Sequence, residues 1–236
     1  MKIILAMAAV LTLSIALNWI YQVVRKPSEL LFPVSGAFSK RPAETWAEYA
    51  PLFRKFATHV MTPDLLAAMA QVEGAGNPVA RTYWRWSWTL HPFEIYRPAS
   101  SAVGMYQITD GTYADASRYC IHDHESLKDR AGDVPSCGSN ALYYRVVPAH
   151  AVELTAAYLD RNVAVILERH RMKSVALRRK QALAAVIHLC GAGAGDEYAR
   201  RGFRLSEGQR CGDHEVRAYL GRIDAMRSVF NRLDAL

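Results

Sequence analysis

Residues 3–20 read IILAMAAVLTLSIALNWI, an apolar run in which Asn18 is the most polar interruption. Val23 and Val24 extend it as far as Arg25 and Lys26. About 20 apolar residues in a helix span the hydrocarbon of a bilayer. Two readings follow, and both export the rest of the chain. One is a cleaved signal peptide, with Ser14-x-Ala16 as the cleavage signature. The other is a retained anchor over residues 1–24. The stretch outlasts Ala16 through Trp19, Ile20 and Tyr21, which favours the anchor. There is no cysteine in this segment to carry a lipid. Lys2 and the amino group oppose Arg25 and Lys26, so flanking charge sets no orientation.

Export bears on the cysteines. Cys120, Cys137, Cys190 and Cys211 all lie beyond the apolar run. An even count in an exported chain points to disulfides, with three connectivities open. Nearest-neighbour pairing gives Cys120–Cys137 and Cys190–Cys211. A zinc site built from His188, Cys190, Cys211 and His214 is the rival. Its spacing matches no common zinc module, and exported thiols oxidise.

The remaining 210 or so residues suffice for one domain with a real core, but not for two large ones. Residues 25–42 carry three prolines and no sustained period, and read as a linker. A domain over 43–236 follows, mainly α. Trp46, Tyr49, Phe53, Phe56 and Val60 make one apolar helical stripe. Thr62-Pro63-Asp64 opens a second helix that runs to Gly74. Residues 79–103 are aromatic-rich and lack helical period. Helices are expected over 110–119, 149–172 and 174–190, with Ser174 as a cap, and from Asp213 to the end. Residues 121–140 read as a polar loop, and Gly191 to Gly195 as a helix stop.

The formal charge of +7 favours nucleic acid, anionic lipid or an anionic polymer as partner, though solubility alone accounts for it equally well. Glu73 closes an apolar helix. The negative end of the helix dipole and the flanking Val72 and Met69 both disfavour a charged carboxylate there, which suits a proton donor. A surface glutamate at a fraying helix end fits the same residues. Gly104-Met105-Tyr106-Gln107 is a second feature. Its glycine permits close backbone approach, and its glutamine offers both a donor and an acceptor.

Four segments in order, LLAAMAQVEGAGNP (65–78), GMYQIT (104–109), AAYLDR (156–161) and LAAVIHLCGAGAG (183–195), resemble the soluble lytic transglycosylase-like family. The resemblance spans roughly residues 62–195. It implies a lysozyme-like helical fold and cleavage of the β-1,4 bond between N-acetylmuramic acid and N-acetylglucosamine in peptidoglycan. Glu73 would be the catalytic acid, with Met105, Tyr106 and Gln107 in the substrate-binding motif. No metal or organic cofactor is implied. Three departures stand out: Gly74 replaces the family's serine, Met105-Tyr106 its Leu-Met, and Cys190-Gly191 its Tyr-Asn. The span from Glu73 to Gly104 is about twice the family's. This insertion brings Trp84, Trp86 and Trp88, which share one side of an extended segment. Trp84 and Trp86 are candidate sugar stackers, and Arg81, Arg85 and Arg97 candidate partners for peptide carboxylates. Packing onto the domain is the competing role for these rings.

The expected setting is the bacterial inner membrane, with the domain in the periplasm and glycan strands, not nucleic acid, as partner. General wall remodelling and service to a secretion or pilus machine both remain open. The altered Gly74, Cys190 and Gly191 motivate an alternative, a non-catalytic glycan-binding or scaffold protein. A lysozyme-type hydrolase is a third reading.

Overall fold

The computed structural model describes residues 1–31, 33–128 and 144–235. Its elements run α1 (Lys2–Arg25), α2 (Pro42–Lys55), α3 (Pro63–Gly74), β1 (Trp84–Trp86), β2 (Tyr96–Pro98), α4 (Asp110–Ala116), β3 (Tyr119–His122), β4 (Glu125–Lys128), α5 (Pro148–Arg169), α6 (Leu177–Cys190), α7 (Ala192–Arg200), β5 (Arg210–Cys211), β6 (His214–Glu215) and α8 (Val216–Asp234). The fold is mainly α, as expected. Each pair β1–β2, β3–β4 and β5–β6 is an antiparallel two-stranded ribbon.

The core is organised around α3. Leu65, Leu66, Ala67, Ala68, Met69 and Ala70 are all buried, so this helix is covered on every side. It packs against α2 and α8, while α5 and α6 complete the wall. From α2 come Trp46, Tyr49 and Phe53, with Trp46 and Phe230 rings 5.7 Å apart. The start of α2 is set by Pro42 in its first turn and by the Glu44 carboxylate, which accepts from the Arg41 amide at 2.8 Å. Thr62 occupies the N-cap position of α3, yet its hydroxyl accepts from Gln181 Nε2 at 3.1 Å instead of capping the helix. Tertiary demand for a partner to the buried Gln181 side chain takes the hydroxyl away.

Several elements differ from the sequence expectation. α2 ends at Lys55, so Phe56 and Val60 reach the core from the following loop. α6 begins at Leu177 with Ala176 at its N-cap, not at Ser174. The Gly-Ala run after Cys190 starts a further helix, α7, because Gly191 turns the chain at φ +84° and Gly195 then packs on Ile187. Part of the polar loop expected over 121–140 forms the β3–β4 ribbon.

α1 is long and apolar enough to cross a membrane, and its outward residues are exposed. Residues 25–42 do not hang free. Two 3-10 turns, Pro27–Leu31 and Ser35–Phe38, fold back on the domain. Glu29 is fully buried between Lys26 (3.1 Å), Arg81 (3.6 Å) and the Trp84 indole N–H (2.9 Å). A buried charge needs such partners. They fasten the end of α1 to the β1–β2 ribbon.

Cys190 and Cys211 are joined, with Cα atoms 5.4 Å apart. This bond ties the end of α6 to β5 and consumes two of the four ligands in the zinc alternative, which is thereby excluded. Cys120 is also disulfide-bonded, whereas Cys137 lies outside the described residues. Replacing Cys190 and Cys211 by serine should cost about 3 kcal/mol, the chain-entropy value for a loop of this length. A urea-denaturation midpoint lowered in proportion would show it, and an unchanged midpoint would contradict it.

Candidate active site

Glu73 sits in the last turn of α3, where the buried helix finally meets solvent. The helix is closed by Ala75 in the left-handed region, with the Ala75 amide on Gln71 O (3.0 Å) and the Gly76 amide on Ala70 O (3.1 Å). Asn77 then anchors the exit by donating to Ser35 O at 2.6 Å and accepting from the Val79 amide at 2.9 Å.

One carboxylate oxygen of Glu73 is held from α8 and faced from α6. The Tyr219 hydroxyl donates to Oε1 at 2.6 Å, and His188 Nε2 lies 3.5 Å from the same atom. The Glu73 side chain is 17% exposed, and that exposure opens onto the cleft. Burial first, then the neighbouring Glu73 carboxylate, push the Tyr219 phenol well above its ordinary range. Tyr219 therefore remains a hydrogen-bond donor over the whole working pH range. The Arg222 guanidinium covers its ring at 5.7 Å from the centroid.

The cleft has a volume of about 550 Å³. Glu73, His188, Tyr219, Tyr83, Arg85 and Gln107 are among the residues that line it. Gln107 is held in an uncommon conformation, φ +48°, with its amide donating to Gly104 O (2.9 Å) and Ala80 O (3.2 Å). Its side chain lines the cleft. Gly104 has φ +81°, and a Cβ there would meet the Arg145 carbonyl. The glycine is thus needed for the turn that presents Gln107.

The sequence-predicted residues divide. Glu73 and Gln107 share the cleft. Met105 and Tyr106 do not: both are fully buried, and the Tyr106 hydroxyl donates to Leu66 O at 3.2 Å. They are core residues that brace α3, because the turn side chains point into the helix that the turn packs upon. Trp84 and Trp86 also miss the cleft. Strand alternation puts Tyr83 and Arg85 on the cleft side and both tryptophans on the other, flanking the Tyr96 ring at 5.1 and 4.8 Å. The three tryptophans do not form one platform, since β1 ends at Trp86 and Trp88 stands fully exposed beyond it. Of the three candidate arginines, Arg81 and Arg85 line the cleft, while Arg97 faces a separate cavity.

Several cleft residues lie outside the sequence reading of the site. Tyr219 falls in the helix expected from Asp213 onward; its signal is that a buried phenol needs a partner for its hydroxyl. His188 figured only as a zinc ligand. Asp213, on the turn between β5 and β6, lines the cleft and accepts from the Tyr83 hydroxyl at 3.3 Å. Arg222, one turn along α8 from Tyr219, also lines it. The acids that come first after the Glu73 helix in sequence, Glu94, Asp110 and Asp115, do not line the cleft: Glu94 pairs with Arg25 and Arg97, Asp110 with Arg145, and Asp115 with Arg118. Among the described residues no cluster of three or more metal-ligating side chains occurs.

No protein-family model matches the chain, and no curated protein matches it at a significant level.

Gly74 has a structural reason of its own. A Cβ at this position would stand 2.8 Å from the Met105 Cα and 2.9 Å from its carbonyl oxygen. The chain at 104–107 therefore lies directly on the end of α3, closer than any side chain permits. Gly74→Ser should destabilise the fold by about 1–3 kcal/mol through overpacking against backbone. Thermal or urea unfolding of the variant tests this, and a wild-type midpoint would refute it.

Proposed function

We propose that this protein is a peptidoglycan lytic transglycosylase held at the inner membrane by α1, with its domain in the periplasm. The observation that carries the reading is Glu73 itself: a carboxyl on a rigid buried helix, one oxygen fixed by Tyr219, opening onto a cleft with room for sugar rings. The resemblance of the four sequence segments gives that geometry its chemistry. Cationic Arg81, Arg85 and Arg222 in the cleft wall suit the carboxylates of muramoyl peptides. Tyr83, 63% exposed, offers a ring face to a sugar.

In this mechanism protonated Glu73 donates to the glycosidic oxygen as the C1–O4 bond breaks. The resulting carboxylate then accepts the proton of the muramoyl C6 hydroxyl, whose oxygen bonds to C1 and closes the 1,6-anhydro ring. The proton taken from C6 restores Glu73, so one carboxyl serves both steps. Tyr219 holds Oε1 and leaves Oε2 to exchange the proton. The hydroxyl on α8 also compensates for the family tyrosine replaced by Cys190, since it orients the same carboxyl from another helix.

Asp213 supports a second reading. A carboxylate in the same cleft is what a two-carboxylate hydrolase uses to activate water. The products separate the two: the lyase leaves anhydro-muramoyl ends, lighter by one water than the reducing ends a hydrolase leaves. Glu73→Gln should lower cleavage of purified cell wall by about 10²–10⁴-fold with folding and glycan binding intact. Asp213→Asn should leave the anhydro products. Wild-type cleavage by Glu73→Gln would remove the assignment. An inert wild type that still binds glycan would favour the scaffold alternative.

A further inference from the structure

The junction of α1 with the domain carries two features that glycan cleavage does not use. The first is an exposed apolar ribbon tip. Trp86 is 76% exposed, and Trp88 and Leu90 are fully exposed. Isolated large apolar side chains are ordinary on a surface, but these lie within five residues of one another and beside a membrane-type helix. The return limb of the ribbon is fastened along the last two turns of α1. Asn18 Nδ2 donates to Tyr96 O at 2.9 Å, Gln22 Nε2 donates to Phe93 O at 2.6 Å, and Tyr21 stacks on Phe93. Arg25 pairs with Glu94. At about 1.5 Å per residue, Asn18 stands roughly 12 Å along the axis from Lys26. The ribbon therefore flanks the part of α1 that passes from hydrocarbon to headgroups, the level at which tryptophan and tyrosine concentrate.

The second feature is a cavity of about 530 Å³ between the end of α1 and the base of the ribbon. Arg25, Lys26, Arg85, Arg97 and Arg145 line it, and Asp110, paired with Arg145 at 2.7 Å, is the one acid in its wall among the described residues. Glu94 and Glu29 answer part of this charge from outside the wall. Among the described residues Arg85 has no ion-pair partner. Cations at headgroup depth attract anionic phosphates.

We propose that the 84–98 ribbon is a second membrane contact, its Trp86–Leu90 tip seated in the headgroup layer of the bilayer that α1 crosses, and that the adjoining cavity holds the phosphate of an anionic phospholipid. This rests on α1 being retained as an anchor. Arg85 lines both this cavity and the Glu73 cleft, so the seat fixes the cleft immediately above the headgroups, facing the glycan nearest the membrane.

The test uses the full chain in vesicles of phosphatidylcholine, alone or mixed with phosphatidylglycerol. Intact mass is measured first. The emission of Trp88 is obtained as the difference between wild type and Trp88→Phe, which cancels the other four tryptophans. That emission should be quenched by lipids brominated on their acyl chains and shielded from iodide in the water. Native mass spectrometry of protein released from the mixed vesicles should show phosphatidylglycerol retained over phosphatidylcholine. Arg85→Gln and Arg97→Gln should each lower that preference roughly fivefold. Trp88→Ser should leave cleavage in detergent unchanged. A Trp88 equally open to iodide with and without vesicles, or one that responds to soluble glycan fragments and not to brominated lipid, overturns the seat. Lipid retention indifferent to both arginine substitutions overturns the phosphate site. A mature chain lacking α1 overturns the anchor and the seat together, whereas an intact chain with unquenched Trp88 overturns the seat alone.

Discussion

Burying α3 on all sides is the constraint on which the rest of the molecule depends. A helix surrounded by protein can expose polar groups only at its ends, and those ends must find partners there. At the N-terminal end the Gln181 amide bonds Val60 O and the Thr62 hydroxyl, and Arg227 pairs with Asp64 at 2.7 Å. At the C-terminal end the only charged side chain is Glu73, and α8 meets it with Tyr219. The same packing that stabilises the core thus holds one carboxyl rigid where the end of α3 reaches the cleft. The turn at 104–107 completes the arrangement. It lies so close to Gly74 that its own Met105 and Tyr106 become part of the core and only Gln107 is presented outward.

The β1–β2 ribbon illustrates how one short element can serve two faces. Successive residues of a strand point to opposite sides. Tyr83 and Arg85 therefore look into the cleft, while Trp84 and Trp86 look away from it, one onto buried Glu29 and the other to solvent. A shift of register by one residue would exchange the two sets. The ion-pair node at Glu29 opposes that shift, because Arg81 and Trp84 of one segment and Lys26 of another converge on it. Orientation of the cleft relative to α1 is therefore a consequence of the fold, with no free linker between them.

The distribution of charge follows from the same geometry. Two groups of cations line the two cavities. Arg81, Arg85 and Arg222 stand at the cleft, and Arg25, Lys26, Arg97 and Arg145 around the junction with α1. Under the proposed activity both groups face anionic chemistry, peptide carboxylates in one case and lipid phosphates in the other. The disulfide between Cys190 and Cys211 sets the boundary of the cleft on its far side by fixing β5 and β6, which deliver Asp213.

The resemblance of the four sequence segments singled out Glu73 and Gln107. The linear chain by itself determined the apolar N-terminal helix, the mainly α character, and the start and stop of α3. These are legible because they rest on local rules: apolar run length, helical period, Pro63 at a helix start, and glycine at a turn. Cys190–Cys211 was legible as one of three connectivities, narrowed by proximity in sequence. Only the tertiary structure decided that Tyr219 serves Glu73, that Tyr83 and not Trp84 or Trp86 enters the cleft, that Asp213 and Arg222 join it, and that Met105 and Tyr106 turn inward. The physical reason is common to all four. Helical period marks Tyr219 as buried without saying what its hydroxyl meets 146 residues away. Strand alternation separates odd from even residues without saying which set faces the cleft. Those answers are fixed by which surfaces pack together, and that is a property of long-range contacts, not of any local segment.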